Sequence, residues 1–192
     1  LNRDFFAIHR TTKELELGIE DILTAPKNCG KLDLIVVRPK TNQRQVLSAA
    51  RLSLELGLEG DNWKARGYSR SLDGFGHPQM QLNIMNSRVI SLIAGAIDDS
   101  EEKWSMAGDQ LFVDMDLSKT NLPAGTKLSI GDAEIEVTAE PHLGCKKFSD
   151  RFGKAATFFV NSEIGKENCF RGLCAKVIKE GRIRKGDKLI KL

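Results

Sequence analysis

The spacing of short β-forming runs, each cut off by a turn signal, restricts this chain's fold more than any other feature. KLDLIVVRP (31–39) stops at Pro39, and QVLSAARLSL (45–54) stops before Gly57. MQLNIM (80–85) reads as a buried strand. TKLSIG and AEIEVTAE flank Gly131-Asp132, a pair suited to a tight hairpin turn. GLCAKVIKE and RIRKGDKLIKL read as a further hairpin around Glu180-Gly181. Helical periodicity is confined to three places. In 12–25 the apolar residues Leu15, Ile19, Ile22 and Leu23 recur at helical spacing, with Thr11 or Thr12 as cap and Pro26 as stop. Asn86 or Ser87 can cap a helix running to about Ile97, with Val89, Ile90, Ile93 and Ala94 inward. A helical insert, PHLGCKKFSDRFG, separates the last two strand pairs. Many short strands with few helices predict a mainly β fold with peripheral helices, a small closed or nearly closed β-barrel. No repeat, low-complexity segment or convincing second domain interrupts it.

With 41% hydrophobic and 29% charged residues, the 192-residue chain has the balance of an ordinary globular protein. No run approaches the roughly 20 apolar residues that cross a bilayer. No charged-then-apolar secretory segment opens the sequence, which begins at Leu1. Cys29, Cys145, Cys169 and Cys174 form no C-x-x-C pair, and no His-x3-5-His partner follows the last two. That pattern argues against a structural zinc site and for free thiols in a reducing cytoplasm. Charge is unevenly spread. Seven acids lie between Asp98 and Asp116 against Lys103 alone, and the tail from Lys176 to Lys191 is basic. Because the tail's charges interleave with Val177, Ile178, Ile183, Leu189 and Ile190, a solvated strand face is the preferred reading over an anion-binding surface.

Two segments carry candidate chemistry. Residues 57–78, rich in Gly and polar groups and without any period, are too long for a simple connection, and such long loops are often functional or disordered. Trp63 and Tyr68 in it are candidate stacking groups, and His77 a candidate acid–base group. The second segment, Pro141 to Phe148 followed by Asp150-Arg151-Phe152-Gly153, comes directly after a strand. A helix starting near His142 to Gly144 places Cys145 in its first turn, where free N–H groups and the helix dipole favour a thiolate. Lys147, Arg151 and Lys154 then line up at i, i+4 and i+7 and could hold a phosphate. Cys145, Phe148 and Phe152 also share a face, so on periodicity alone a small buried core residue is the preferred reading. Cys169 and Cys174 read as core or incidental. His142, three residues before Cys145, is the better acid–base candidate of the two histidines.

Five landmarks occur in one order: Gly57-Leu58-Glu59-Gly60-Asp61; Leu122 through Ala133 (LPAGTKLSIGDA); Glu136-Val137-Thr138 before the Pro141–Phe148 run; Arg171-Gly172; and Gly181 through Asp187 (GRIRKGD). In that order the chain resembles the MOSC family, named for the C-terminal domain of molybdenum cofactor sulfurase, from about Lys31 to Leu192. The resemblance implies a MOSC β-barrel domain over 31–192, of the pyruvate-kinase β-barrel-domain kind, behind an N-terminal helical extension over 1–30. It implies one essential cysteine at Cys145, used for sulfur transfer or as the metal ligand of a molybdenum cofactor (molybdopterin). His142 accompanies Cys145 as a catalytic candidate. Arg151 and Arg171 match motif positions as phosphate holders; Lys147, Lys64, Arg66 and Arg70 are further candidates. The 57–78 loop is longer and more basic than the family's usual stretch, which leaves its ligand contacts open.

Two functions follow. In one, Cys145 serves an enzyme or carrier, with two versions. The domain holds molybdenum cofactor and reduces an N-hydroxylated small-molecule substrate with a separate electron-transfer protein; or it accepts a persulfide from a separate pyridoxal-phosphate desulfurase and holds no cofactor. In the other, the barrel is a non-catalytic anion- or RNA-binding module. With nine Phe, two Trp and one Tyr and no basic–aromatic alternation, the sequence argues against nucleic acid, and nothing in it suggests a membrane.

Overall fold

The computed structural model describes residues 9–67, 74–95 and 99–192. Its strands are β1 (Cys29–Val37), β2 (Gln45–Leu47), β3 (Ala49–Ser53), β4 (Gly57–Leu58), β5 (Leu82–Asn86), β6 (Leu111–Asp114), β7 (Lys127–Ile130), β8 (Ala133–Val137), β9 (Leu173–Lys179), β10 (Gly181–Arg184) and β11 (Lys188–Lys191). Its helices are α1 (Thr12–Leu17), α2 (Ile19–Leu23), α3 (Trp63–Arg66), α4 (Ser87–Ala94), α5 (Glu101–Ser105), α6 (Lys146–Asn161) and α7 (Glu163–Glu167).

Strands β11, β7, β8, β9, β5, β6 and β1 pair in that order, and β1 returns to β11, so the sheet closes into a seven-stranded barrel. Every pairing around the ring is antiparallel except β5 with β6. Closure removes the exposed edges that an open sheet of such short strands would leave. β2 extends β1 on the outside, and β10, β3 and β4 form a small second sheet. The run 45–54, read as one strand, is therefore two. The chain passes from one sheet to the other at Ser48, whose carbonyl accepts the Lys185 N–H at 2.9 Å.

β1 shows why KLDLIVV reads as apolar almost throughout. Leu32, Ile35 and Val37 fill the barrel, whereas Leu34 and Val36 face a second core beneath the helices. Leu32 and Leu34 are two residues apart yet point to opposite faces, because the pairing with β6 shifts register between them. A bulge of one residue reverses the alternation. The outer core takes Leu15 and Ile22 from α1 and α2, Val89, Ile90 and Ile93 from α4, and Phe148, Phe152 and Phe159 from α6.

Local signals account for most element ends. Thr11 and Glu14 form a capping box at α1. The expected 12–25 helix breaks at Gly18, and Leu23 remains exposed. Asn86 caps α4 by accepting the N–H groups of Arg88 and Val89 at 2.7 and 3.3 Å. Ile130 pairs with Ala133 across Gly131-Asp132, as the hairpin signal predicts, with Gly131 at φ 54. The expected hairpin at Glu180-Gly181 is corrected: β9 pairs with β8 and β5, while β10 leaves the barrel to pair with β3. The basic tail is a strand face whose lysines meet neighbouring acids: Lys176 with Glu136 at 2.8 Å, Lys179 with Glu134 at 3.2 Å, and Lys185 with Glu101. Among the described residues no helix is long and apolar enough to cross a membrane.

Candidate functional site

Cys145 is exposed and is the N-cap of α6, with extended backbone at φ −113 and ψ 178. It lies one residue outside the expected first turn. Phe148 and Phe152, each 2% exposed, are the residues of that face that enter the core. The reading of Cys145 as a core residue is thereby removed. Asn161, at the far end of α6, holds the preceding Gly144 on both sides, accepting its N–H at 2.8 Å and donating to its carbonyl at 2.9 Å.

Beside Cys145 opens a cleft of about 310 Å³. Its charged lining is entirely basic: Arg38, Lys40, Arg44, Arg66, Lys147 and Arg151, with Thr41, Asn42, Asn62, Ala107, Gly108 and Phe148 between them. Among the described residues, only Arg38 of these cations lies within ion-pair distance of a carboxylate, that of Asp61. Arg44 donates to the carbonyls of Gln43 and Ser105, and Arg151 to that of Met106 at 2.7 Å. Burial, followed by the nearby charges of Arg151 and Arg38, lowers the pKa of Arg44. Burial and then Arg38 do the same for Arg66. Cations crowded until they oppose one another's charge form a site of positive potential that an anion relieves.

The wall of this cleft is built on a buried ion pair. The side chain of Asp61 is fully buried and accepts from Arg38 Nε and Nη2, both at 2.8 Å. It also accepts the backbone N–H groups of Arg38 and Trp63, each at 2.9 Å. Arg38 Nη1 continues to the carbonyl of Gly108 at 2.7 Å. The acid that ends the Gly57–Asp61 motif thus ties the loop, the end of β1 and the segment before β6 into one unit.

A second buried group lies behind. Arg171 is 5% exposed; its Nη1 donates to Asp109 Oδ2 at 2.6 Å and its Nη2 to the Ala107 carbonyl at 3.0 Å. Its guanidinium carbon lies 4.8 Å from the centre of the Phe148 ring. His142 Nε2 is 2.7 Å from the other oxygen of Asp109. Burial pushes the Asp109 carboxyl up, but Arg171 and His142 outweigh it and hold it at about 2. The same burial, reinforced by Arg171, lowers the pKa of His142. An ionised Asp109 can only accept, so the proton of the neutral imidazole is on Nε2, and Nδ1 faces Asn83 Nδ2 at 3.4 Å.

The expected site residues therefore divide. Cys145, Lys147, Arg151 and Arg66 meet in the cleft. Arg171 and His142 lie outside its lining, joined through Asp109. Lys64 pairs with Glu55 at 2.5 Å and is not part of the lining. Lys154 is turned off the Lys147–Arg151 stripe because Gly153 breaks α6 with φ 87 and ψ 166. Trp63 is buried at 6% exposure, where the backbone of Gly76 passes against it, and is not offered as a stacking surface. Arg70 and Tyr68 lie outside the described residues. Sequence reasoning missed Arg38, Lys40 and Arg44, although three cations within RPKTNQR, directly after a strand, were a readable signal. Cys174 is buried beside Asn83, its thiol pushed up to about 12 by burial and then by Asp109. Among the described residues no cluster of three His, Cys, Asp or Glu side chains could hold a metal ion unaided.

Residues 72–190 match the family model of the MOSC domain. The fold is shared with the YUAD protein from Bacillus subtilis at TM-score 0.62 and 17% identity, over 84% of this chain and 94% of that one. YiiM from Escherichia coli superimposes at TM-score 0.54 and 22% identity, over 84% of this chain and 69% of its own. YiiM from Geobacillus stearothermophilus does so at 0.55 and 12%, over 85% and 75%. No curated protein matches the sequence. The closed barrel, the ordered motifs and a family match across more than half of its length together make this chain a member of the MOSC domain family.

Proposed function

We propose that the protein holds a phosphorylated, metal-bearing anion in the basic cleft and acts on it through Cys145, the group best suited to that lining being the molybdenum cofactor. The observation that carries this reading is the convergence of Lys40, Arg44, Arg66, Lys147 and Arg151, none ion-paired among the described residues, on one exposed cysteine with no acid in the lining. The donor set fits the group. Arg44, Arg66 and Arg151 offer planar forks for phosphate oxygens, Lys40 and Lys147 add point charges, and a single sulfur suits a soft-accepting metal. When bound, the cofactor would supply two-electron oxygen-transfer chemistry, the basis for reducing an N-hydroxylated small molecule with electrons from a separate protein. In this reading Arg38, fixed by Asp61, shapes the wall, and the turn around Gly144 holds Cys145 at the rim.

Transfer of a persulfide from a separate desulfurase is the second reading. It is favoured by the exposure of Cys145, whose side chain has no capping hydrogen bond and is open to a partner protein. Anaerobic purification of the full chain, followed by molybdenum and pterin analysis, tests the first reading. Copurifying cofactor that is lost in both Cys145→Ala and Arg44→Glu supports it. An added sulfur on Cys145 by mass spectrometry, without pterin, supports the second. Neither signal after reconstitution with the respective donors sinks both.

A further inference from the structure

We propose that an apolar cleft beside the Pro141–Leu143 segment is a second ligand site, taking a small carboxylate with a compact apolar body. The cleft measures about 480 Å³, within the range of small-molecule sites, and is separate in its lining from the one beside Cys145. Leu122, Val137, Leu143, Val160 and Leu173 supply its walls. His142 completes them with its ring, whose Nε2 is taken up by the fully buried Asp109 at 2.7 Å. A surface of that kind offers water few partners and favours an apolar body.

Charge at the mouth sets the ligand's polar end. Lys119 and Lys166 both line the cleft. Lys119 is loosely held by Glu167 at 3.5 Å, and Lys166 forms no ion pair among the described residues. The one acid in the lining, Glu140, approaches His77 at 3.9 Å. The wall also carries backbone strain. Cys169 has φ 49, unusual for a side chain larger than glycine, and is locked there by the Gly172 N–H donating to its carbonyl at 2.7 Å. Strain of this kind collects at ligand clamps. The site makes no use of Cys145, so it stands or falls separately from the proposed chemistry there.

Fluorescence titration of the full chain with 8-anilinonaphthalene-1-sulfonate, an apolar body bearing an anion, with octanoate as competitor, tests the proposal. Saturable binding displaced by octanoate is expected. Ala139→Trp, which fills the exposed rim, and Lys166→Glu, which reverses its charge, should each weaken binding by about tenfold or more, while Arg44→Glu leaves it unchanged. Octanoate should also slow modification of Cys169 by a neutral thiol reagent, read by peptide mapping, without slowing that of Cys145. Signal lost in Arg44→Glu but kept in Ala139→Trp would put the anion in the other cleft and overturn the proposal. So would an absence of saturable binding to either probe. Sensitivity to Ala139→Trp but not to Lys166→Glu would overturn the assignment of a carboxylate.

Discussion

Arg171 meets Asp109 at 2.6 Å with the carboxylate wholly out of contact with solvent and the guanidinium almost so. Two charges withdrawn from water this far are held by each other and by His142 and Ala107, and either alone would be a buried charge without compensation. Asp109→Ala is expected to destabilise the protein by about 3–5 kcal/mol. Replacing Asp109 and Arg171 together by apolar residues of similar size should recover much of that loss. Urea denaturation of the single and double variants measures both.

The same group makes stability depend on pH in two stages. The His142 pKa is lowered from 6.5, so below that value the unfolded chain binds a proton that the folded one resists. Stability is full above pH 6.5 and falls as pH drops beneath it. Asp109, held at about 2 against an ordinary 3.8, adds a second loss as pH descends through that lower interval. Denaturation midpoints across this range should show both declines; His142→Phe should shrink the upper one, leaving the part that His9 adds through its own lowered pKa, and should also reduce the lower one, because His142 helps to hold Asp109 down. An upper decline undiminished in His142→Phe would assign it to another group.

Asp61 accepts four hydrogen bonds that join the end of β1 to the 57–66 loop. Asp61→Asn keeps the shape but leaves Arg38 without its counter-charge, a change expected to cost about 3–5 kcal/mol. Binding of pyrophosphate in the cleft should weaken as well, because Arg38 and the wall it supports would shift. Calorimetric titration at low ionic strength reads the second effect, and raising the salt should weaken binding in the parent protein too.

The exposed Cys145 side chain makes no capping hydrogen bond that its loss would break, so Cys145→Ala should leave stability within about 0.5 kcal/mol of the parent. At mildly alkaline pH iodoacetamide should label Cys29 and Cys145 first. Burial pushes the Cys169 and Cys174 thiols up to about 11 and about 12. Peptide mapping over time gives the order, and early labelling of Cys174 would contradict the burial seen here.

Gly153 occupies backbone space that essentially only glycine adopts, and a methyl group there would lie 2.9 Å from ring carbons of His9. Gly153→Ala is expected to cost about 1–3 kcal/mol, measurable by thermal unfolding.

What could be read from the sequence was local in origin. The Asn86 cap, the Gly131-Asp132 turn and the buried strand 82–86 each rest on neighbours a few residues away, and each is found. The β9–β10 hairpin failed because strand partners are chosen across the fold: Gly181 to Arg184 pairs with a strand some 130 residues earlier, and nothing at Glu180 signals the departure. The cleft was half legible. Cys145 and Arg151 came from motif positions and Lys147 from helix spacing, whereas Arg44 lies in a turn whose approach to α6 is purely tertiary. Asp109 is one of seven acids between Asp98 and Asp116, and nothing in the sequence singles it out, although it is one of the most deeply buried charges among the described residues.

The ring of seven strands has an arithmetical consequence. Directions cannot alternate strictly around an odd circle, so one adjacent pair must run the same way, and here it is β5 with β6. No tight turn can link such a pair; the chain must travel back along the outside before re-entering. That obligatory return carries α4 and α5 and ends at Ala107, Gly108 and Asp109, the residues that receive Arg171 and Arg38. Strand parity alone thus delivers the stretch of backbone on which both buried arginines are anchored.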